Sequence, residues 1–109
     1  MTVSPEAASK SVDEVLLALA DERRRLAVQY FKEATDRTAS CDELAAYVCG
    51  KGSVDHRIEN MEARLHHVDL PKLAEAGLIE YDSRSNTVRY QPLRSVEPIV
   101  DAIEELKEA

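Results

Sequence analysis

Residues 65–82 read LHHVDLPKLAEAGLIEYD, and this stretch decides the fold predicted for the chain. Apolar residues recur at helical spacing until Gly77, the residue type that most easily takes the left-handed backbone that closes a helix. After the glycine, Ile79 and Tyr81 alternate with acidic residues, which is the two-residue period of a strand with one solvated face. A second short strand, residues 87–90, follows across a four-residue turn. Helix, glycine and hairpin in this order predict a helix followed by a β-hairpin wing.

An apolar seam precedes this stretch and has the spacing of a heptad repeat. Its members are Val54, Ile58, Met61, Leu65 and Val68. Pro71 lacks an N–H group and crowds the carbonyl four residues earlier, so we expect a kink or a break near residues 67–70. Apolar positions resume at Leu70 and Leu73. The helix therefore has a heptad half, suited to packing or dimerisation, and a short half at residues 71–77.

Start signals mark the other helices. Ser11 and Ser40 are each followed three residues later by a glutamate, which is the pattern of a capping box. Asp21 can cap a further helix, and Ser95 can cap the last one. We expect the first helix, from about residue 12 to residue 20, to turn three apolar residues inward: Val15, Leu16 and Leu19.

Three consecutive arginines, Arg23, Arg24 and Arg25, stand in the first turn of the second helix. Their pattern favours a solvated face that pairs with Asp21, Glu22 and neighbouring helices, and phosphate contact is the alternative. Both interpretations place the guanidinium groups at the surface.

Composition bounds the class of protein. The chain has 109 residues, enough for one modest core, and carries 21 acidic against 14 basic residues for a formal net charge of −7. The acidic excess lies at the two ends of the chain. The overall charge argues against strong, sequence-independent binding to nucleic acid. Acid excess with more arginines than lysines resembles proteins from salt-loving archaea. We expect a flexible tail at residues 1–10, one domain at residues 11–94 and a C-terminal helix at residues 95–109.

Other function classes are disfavoured by what the sequence lacks. No apolar run approaches the roughly 20 residues that span a bilayer, so no membrane association is expected. The first ten residues lack the features of a signal peptide, so a cytoplasmic location is expected. Cys41 and Cys49 would lie roughly 12 Å apart on one helix, too far for a disulfide. No metal-ligand spacing or Gly-rich phosphate loop occurs, so the sequence predicts no metal, no cofactor and no enzyme.

Three segments line up in order with those of a known class of regulator: residues 17–26 (LALADERRRL), 42–45 (DELA) and 73–80 (LAEAGLIE). Together they resemble the winged helix-turn-helix regulators of the ArsR type. They are most similar to small haloarchaeal winged-helix proteins that share the run HHVxLPKLAxAG, here residues 66–77. The resemblance covers about residues 15–92. It implies a mainly α fold with a β-hairpin, an extended recognition-helix region and a C-terminal helix. The segment from Glu43 to Gly77 is longer than in ArsR-type chains, and their cysteine-rich metal-sensing motif is missing.

This resemblance implies a transcriptional regulator that binds double-stranded DNA as a homodimer. The candidate DNA-binding residues are His66, His67, Lys72, Arg84 and Arg89. A structural role is the alternative for the two histidines, and pairing with Glu80 or Asp82 is the alternative for Arg89. Asp69 and Glu75, on the same helix as Lys72, would oppose phosphate.

A second apolar stripe lies in the C-terminal helix: Val96, Ile99, Val100, Ile103 and Leu106. Two stripes exceed what one core of this size needs. We therefore expect the C-terminal helix to form a dimer interface, with the N-terminal helix and the heptad seam as further contributors. The alternative function is a protein-interaction module that keeps the winged-helix scaffold without direct DNA binding, which the net charge favours.

Overall fold

A computed structural model describes residues 12–51, 57–91 and 96–108, with side chains up to residue 106. The helices are α1 (Val12–Ala18), α2 (Glu22–Glu33), α3 (Cys41–Lys51), α4 (Ile58–Arg64), α5 (Leu70–Glu75) and α6 (Val96–Glu108). A π-helical turn (Leu65–Asp69) joins α4 to α5. The strands are β1 (Thr38–Ser40), β2 (Ile79–Asp82) and β3 (Thr87–Tyr90). Across these ranges the fold is mainly helical with one small antiparallel sheet, as predicted at that level.

Two of the predicted helix starts are confirmed by their hydrogen bonds. Asp21 has extended backbone dihedrals and accepts from the Arg23 amide at 2.8 Å. Ser40 and Glu43 form the expected capping box. The Glu43 amide donates to Ser40 Oγ at 3.1 Å, and the Ser40 amide donates to Glu43 Oε1 at 2.8 Å. The caps predicted at Ser11 and Ser95 lie outside the described residues.

The hairpin is confirmed, and it belongs to a larger sheet than the sequence indicated. Gly77 has a φ of 83°, the left-handed conformation expected after the helix. Strands β2 and β3 pair in antiparallel register, and β1 pairs with the other edge of β3 to give the order β1-β3-β2. Strand β1 was not predicted, because three residues are too few to show an alternating pattern.

The core lies between the helices and the inner face of the sheet. The largest fully buried apolar side chains are Leu19, Val28, Leu44, Val48, Leu65, Leu70, Leu73, Leu78, Val88, Val96 and Val100. Both predicted apolar stripes contribute to this one core, through Leu65 in the π turn and through Val96 and Val100 in α6. The two stripes are therefore divided: Leu65, Val96 and Val100 belong to this one core, because α6 folds back onto α2 of the same chain, while Ile58 and Leu106 are exposed.

One side chain predicted to face the core is exposed instead, and so is one member of the heptad seam. Leu16 is 45% exposed, because α1 ends at Ala18 and only the last part of the segment, with Leu19, enters the core. Ile58, a member of the heptad seam, is 43% exposed in the first turn of α4. Val54, the first member of that seam, lies outside the described residues.

The interruption expected near residues 67–70 is a π turn, through which the helix continues without a break. The Leu70 amide donates to the Leu65 carbonyl, five residues back, so the turn holds one residue more than an α-helical turn. Pro71 follows as the second residue of α5, where its missing N–H group is tolerated. The extra residue returns Leu70 and Leu73 to the core and leaves Lys72 exposed, as predicted.

Helix α6 is fixed to the rest of the chain by polar as well as apolar contacts. Lys32 of α2 forms an ion pair with Asp101, and Arg25 lies 4.0 Å from Glu104. The Tyr90 hydroxyl donates to Glu97 Oε2 at 2.9 Å. Among the described residues, no helix is both long enough and apolar enough to cross a membrane.

Candidate nucleic-acid interface

His66 is turned toward the hairpin. Its ring is half-buried, and Nδ1 is hydrogen-bonded to the Tyr81 hydroxyl at 2.5 Å. That hydroxyl also lies 3.3 Å from Oδ1 of Asn86, in the turn between β2 and β3. These contacts connect the π turn to the hairpin. They match the structural role that was the alternative interpretation of His66.

The side chains of His67, Lys72 and Arg84 are exposed. His67 packs edge-on against the ring of His66, with 4.6 Å between the ring centroids, and its outer face is open to solvent. Lys72 lies on α5, and Arg84 lies in the hairpin turn, where the Arg84 amide donates to Asp82 Oδ1 at 3.0 Å. All three can therefore reach a ligand that approaches from the side of α5 and the hairpin.

Arg89 lies on the outer face of β3 opposite Glu80, its partner in the strand register. Its Nε is 3.9 Å from Glu80 Oε1, and the two side chains are 65% and 67% exposed. Cross-strand pairing was the alternative for Arg89, and it is the contact that the structure contains. Such an exposed pair contributes little to stability, so Arg89 can exchange the carboxylate for another anion at small cost.

Asp69 does not face solvent. Its side chain is fully buried, with Oδ1 at 2.9 Å from an Arg24 nitrogen and Oδ2 at 3.2 Å from Arg23 Nε. The expectation that Asp69 opposes phosphate is therefore wrong. The expectation that all three arginines lie at the surface is also wrong, since Arg24 is buried. This leaves Glu75 as the exposed acid of α5.

The outer face of α4 was not predicted from the sequence as a contact surface. Met61 and Leu65 point into the core, so residues on the opposite side of the helix are exposed. The exposed residues between 57 and 67 are Arg57, Ile58, Glu59, Asn60, Ala63, Arg64 and His67. The heptad seam could have identified these residues, because positions on the side of the helix opposite the seam are expected to face outward.

A shallow groove of about 400 Å³ separates this helix from the hairpin. Its walls are formed by His66, His67, Pro71, Ala74, Tyr81 and Ser83. One wall belongs to the π turn and α5, and the other to β2 and the residue after it. Of the candidate contact residues, His66 and His67 line this groove.

A family model described as a domain of unknown function, DUF7344, matches residues 16–89, about two thirds of the chain. The chain belongs to this family. The match includes α2 through α5 and nearly the whole sheet, so it contains all the candidate contact residues named above. Neither the curated proteins nor the solved structures contain a match to this DUF7344 chain.

The apolar residues predicted for the dimer interface are divided between core and surface. Val96 and Val100 are buried in the chain's own core, which removes them from a surface available to a partner. Ile99 and Ile103 are half-buried, and Leu106 is 75% exposed. On α1, Val12 and Leu17 are 72% and 69% exposed. Among the described residues, the most exposed large apolar side chains therefore lie on α1 and at the end of α6, and Ile58 of α4 is also exposed.

The two cysteines differ in their surroundings. Cys41 is buried at the start of α3, where its thiol lies 3.8 Å from the Glu62 carbonyl oxygen. Burial, helped by the carboxylates of Asp42 and Glu62, raises the pKa of the Cys41 thiol to about 11. Cys49 is half-buried. Within the described ranges, no three histidine, cysteine or acidic side chains are grouped so that they could hold a metal ion.

We expect Cys41 to resist thiol reagents in the native protein. Raising the pKa from 9 to about 11 lowers the thiolate fraction at pH 8 about a hundredfold, and only the thiolate reacts. In a Cys49→Ser variant, a thiol-specific reagent should therefore label Cys41 at least a hundredfold more slowly than in denaturant. Because the native thiol binds its proton more tightly, its contribution to stability is complete below pH 9. That contribution should fall as the pH rises toward 11. Equal labelling rates with and without denaturant would contradict the buried environment.

Proposed function

We propose that this DUF7344 chain is a DNA-binding transcriptional regulator of the winged helix-turn-helix type. In this proposal, α3 is the supporting helix and residues 58–75, formed by α4, the π turn and α5, are the recognition helix. The β2–β3 hairpin is the wing. The order of these elements and the groove between helix and hairpin support this assignment.

One observation carries the proposal: the outer face of α4 and the π turn bears side chains suited to reading DNA. Asn60, Arg64 and His67 are exposed while Met61 is buried. Asparagine can bond to an adenine edge and arginine to a guanine edge or to phosphate. A helix of this width fits the major groove, and the wing would bring Arg84 to the flanking backbone.

Local charge also supports DNA binding, although the net charge of the chain is −7. Between residues 57 and 67 the exposed residues include two arginines, His67 and one acid, Glu59, and a second acid, Glu62, is half-buried. Burial of Asp69 removes a charge that would have repelled phosphate there. Binding carried by a few such contacts is expected to depend strongly on salt.

The first experiment is a selection of bound fragments from the host genome, followed by titration of the enriched duplex. We expect the wild-type chain to enrich specific sequences. The double variant Asn60→Ala/Arg64→Ala should lose at least tenfold in affinity for the enriched duplex, since it removes the base contact of Asn60, which contributes about 1–3 kcal/mol, together with the phosphate contact of Arg64. Lys32→Ala is the matched control, because it removes one positive charge on α2, where Lys32 pairs with α6. Failure to enrich any sequence would contradict the proposal.

We further propose that the regulator is a homodimer. The surface that supports this is the accessible apolar face of α1, with Val12, Leu16 and Leu17, and the exposed end of α6 at Leu106. Three large apolar side chains exposed on one seven-residue helix are unusual for a monomer's surface.

The double variant Leu16→Glu/Leu106→Glu is expected to be monomeric, because charged side chains in an apolar interface lose their solvation. Sedimentation at high salt and micromolar concentration measures this, with wild type expected as a dimer. The exposed residue Ile58, on α4, provides the control variant Ile58→Glu, which should remain dimeric. A monomeric wild-type chain would contradict the dimer proposal.

The same apolar face of α1 favours a second candidate function, a protein-interaction module without DNA binding. Under that alternative, fragment selection fails, the wild-type chain is monomeric, and the α1 face is occupied by a different protein. The two experiments above therefore separate the candidates.

A further inference from the structure

A buried ionic contact connects the proposed recognition helix to the two helices behind it. Asp69, the last residue of the π turn, is fully buried and bonded to Arg23 and Arg24 of α2, and its Oδ2 also lies 4.0 Å from Nε of Arg64 on α4. Arg24 also donates through Nε to the Ala18 carbonyl at 2.6 Å and through a terminal nitrogen to the Leu17 carbonyl at 3.3 Å. The pair formed by Asp69 and Arg24 thus joins the end of α1, the start of α2 and the π turn.

Stability alone does not account for this contact. A buried ion pair loses much of its attraction to desolvation, and well-packed apolar residues of similar volume often stabilise a protein as well or better. The best-attested use of such a pair is to select one arrangement over its competitors. Here the competing arrangements are the possible forms of the helix around Pro71.

The π turn is the form of the helix that allows Asp69 and Leu70 to be buried at the same time. In a regular α-helix Asp69 would stay near the side of Leu65, while Leu70 would be turned about 140° away from Leu65. The wider turn buries Asp69 against the arginines and Leu70 in the core together. Pro71 explains why the helix is interrupted, and the pairing of Asp69 explains why the interruption takes this form.

The π turn also sets the angle between the exposed residues that come before it in the helix and those that come after it. Each residue of an α-helix advances by about 100°, so one extra residue rotates everything after it by that angle relative to everything before it. Asn60 and Arg64 precede the π turn, His67 lies within it, and Lys72 and Glu75 follow it. The angle between the preceding and the following residues is therefore a property of the π turn.

We propose that Asp69, held by Arg23 and Arg24, is a positioning residue that fixes the π turn and so sets the angle between the two DNA-facing parts of the recognition helix. The part of this inference that concerns DNA binding rests on the proposed function. It predicts that Asp69 governs sequence discrimination rather than general attraction to DNA.

The decisive variant is Asp69→Leu/Arg24→Met, in which apolar groups replace the ion pair. The matched control is Asp101→Leu/Lys32→Met, which removes the ion pair between α2 and α6. Circular dichroism first establishes that both are folded. Asp69→Asn, which keeps the shape of the side chain, is the second variant and should change both readouts below in the same direction, by less.

The first readout is the through-hydrogen-bond NMR coupling between the Leu70 amide and the Leu65 carbonyl. We expect it in wild type and in the control, and expect it to be lost or moved to another carbonyl in the Asp69→Leu/Arg24→Met variant. Persistence of the coupling in that variant would show that Pro71 alone sets the turn, and would overturn the inference.

The second readout is the ratio of affinities for the selected duplex and for a scrambled duplex of equal length at the same salt. The Asp69→Leu/Arg24→Met variant should lower this ratio at least tenfold and leave scrambled-duplex affinity within about twofold, because the exposed charges are unchanged. An unchanged ratio would overturn the positioning role. If wild type binds no DNA, the proposed function fails, and the coupling measurement still decides whether Asp69 sets the turn.

Discussion

Replacing Asp69 by alanine is expected to lower the free energy of unfolding by about 3–5 kcal/mol, because it leaves a buried positive charge without its partner. Arg23 retains a carboxylate, since it also pairs with Asp21 at 2.8 Å. Arg24 is buried and retains only the carbonyls at the end of α1. The cost should therefore arise mainly at Arg24. Urea denaturation, followed by circular dichroism at constant high salt, measures it.

The same reasoning gives the control. In the double variant Asp69→Leu/Arg24→Met, neither charge remains, so most of the loss should be recovered. A single Arg24→Met substitution leaves Asp69 with Arg23 at 3.2 Å and Arg64 at 4.0 Å, and its loss of stability should fall between the two. If Asp69→Ala lost less than about 1 kcal/mol, in the range of an exposed ion pair, the buried ionic contact would not exist in solution.

Truncating Leu65 to alanine is expected to cost about 2–5 kcal/mol, the range for a large side chain removed from a packed core. Leu65 is fully buried at the start of the π turn, where α4 and the π turn pack against α3. This residue also belongs to the heptad seam, for which the sequence allowed a role in dimerisation. If Leu65 packs within one chain, its loss of stability should not depend on protein concentration.

Leu17→Ala on α1 is the matched control, because it removes the same atoms from a side chain that is largely exposed in the single chain. Its effect should be small in dilute protein and should grow with concentration if α1 forms the dimer surface. Denaturation at two widely separated protein concentrations tests both variants. A concentration-dependent cost for Leu65→Ala would place the heptad seam at an interface instead.

Local signals were sufficient to predict much of this fold. Capping at Asp21 and Ser40 depends on a side chain and an amide two or three residues away, so a short window of sequence contains the whole interaction. Gly77 ends a helix through its own backbone conformation, which is also a local effect. The alternation of apolar and acidic residues after it predicts β2. The return of Leu70 and Leu73 to the core followed from Pro71, whose effect on a helix is also local.

Long-range pairing set the limit of prediction. Asp69 resembles any exposed helical acid in the sequence, because its partners on α2 lie 45 and 46 residues away. Strand β1 exists because β3 offers it a free edge, and its three residues contain no pattern of their own. Apolar periodicity showed which residues of α6 share a side, but it could not show that α2 of the same chain covers Val96 and Val100.

The candidate site was predicted in part for the same reasons. Lys72 and Arg84 are exposed on the helix and in the hairpin turn, where local patterns placed them. His66 is engaged by Tyr81, a contact across 15 residues that spacing does not reveal. Asn60 and Arg64 were not predicted, because the heptad seam identifies the inner face of α4 and indicates the outer face only indirectly.

The most direct test of DNA recognition by the helix and wing is the salt dependence of binding to the selected duplex. We predict that the logarithm of the binding constant falls linearly with the logarithm of salt concentration. Arg64→Ala and Arg84→Ala should each flatten that slope by about one, as expected for loss of one phosphate contact, and Lys32→Ala should leave it unchanged. The account would be contradicted if the wild-type chain bound no duplex across the series, or if Lys32→Ala flattened the slope as much as Arg64→Ala and Arg84→Ala did.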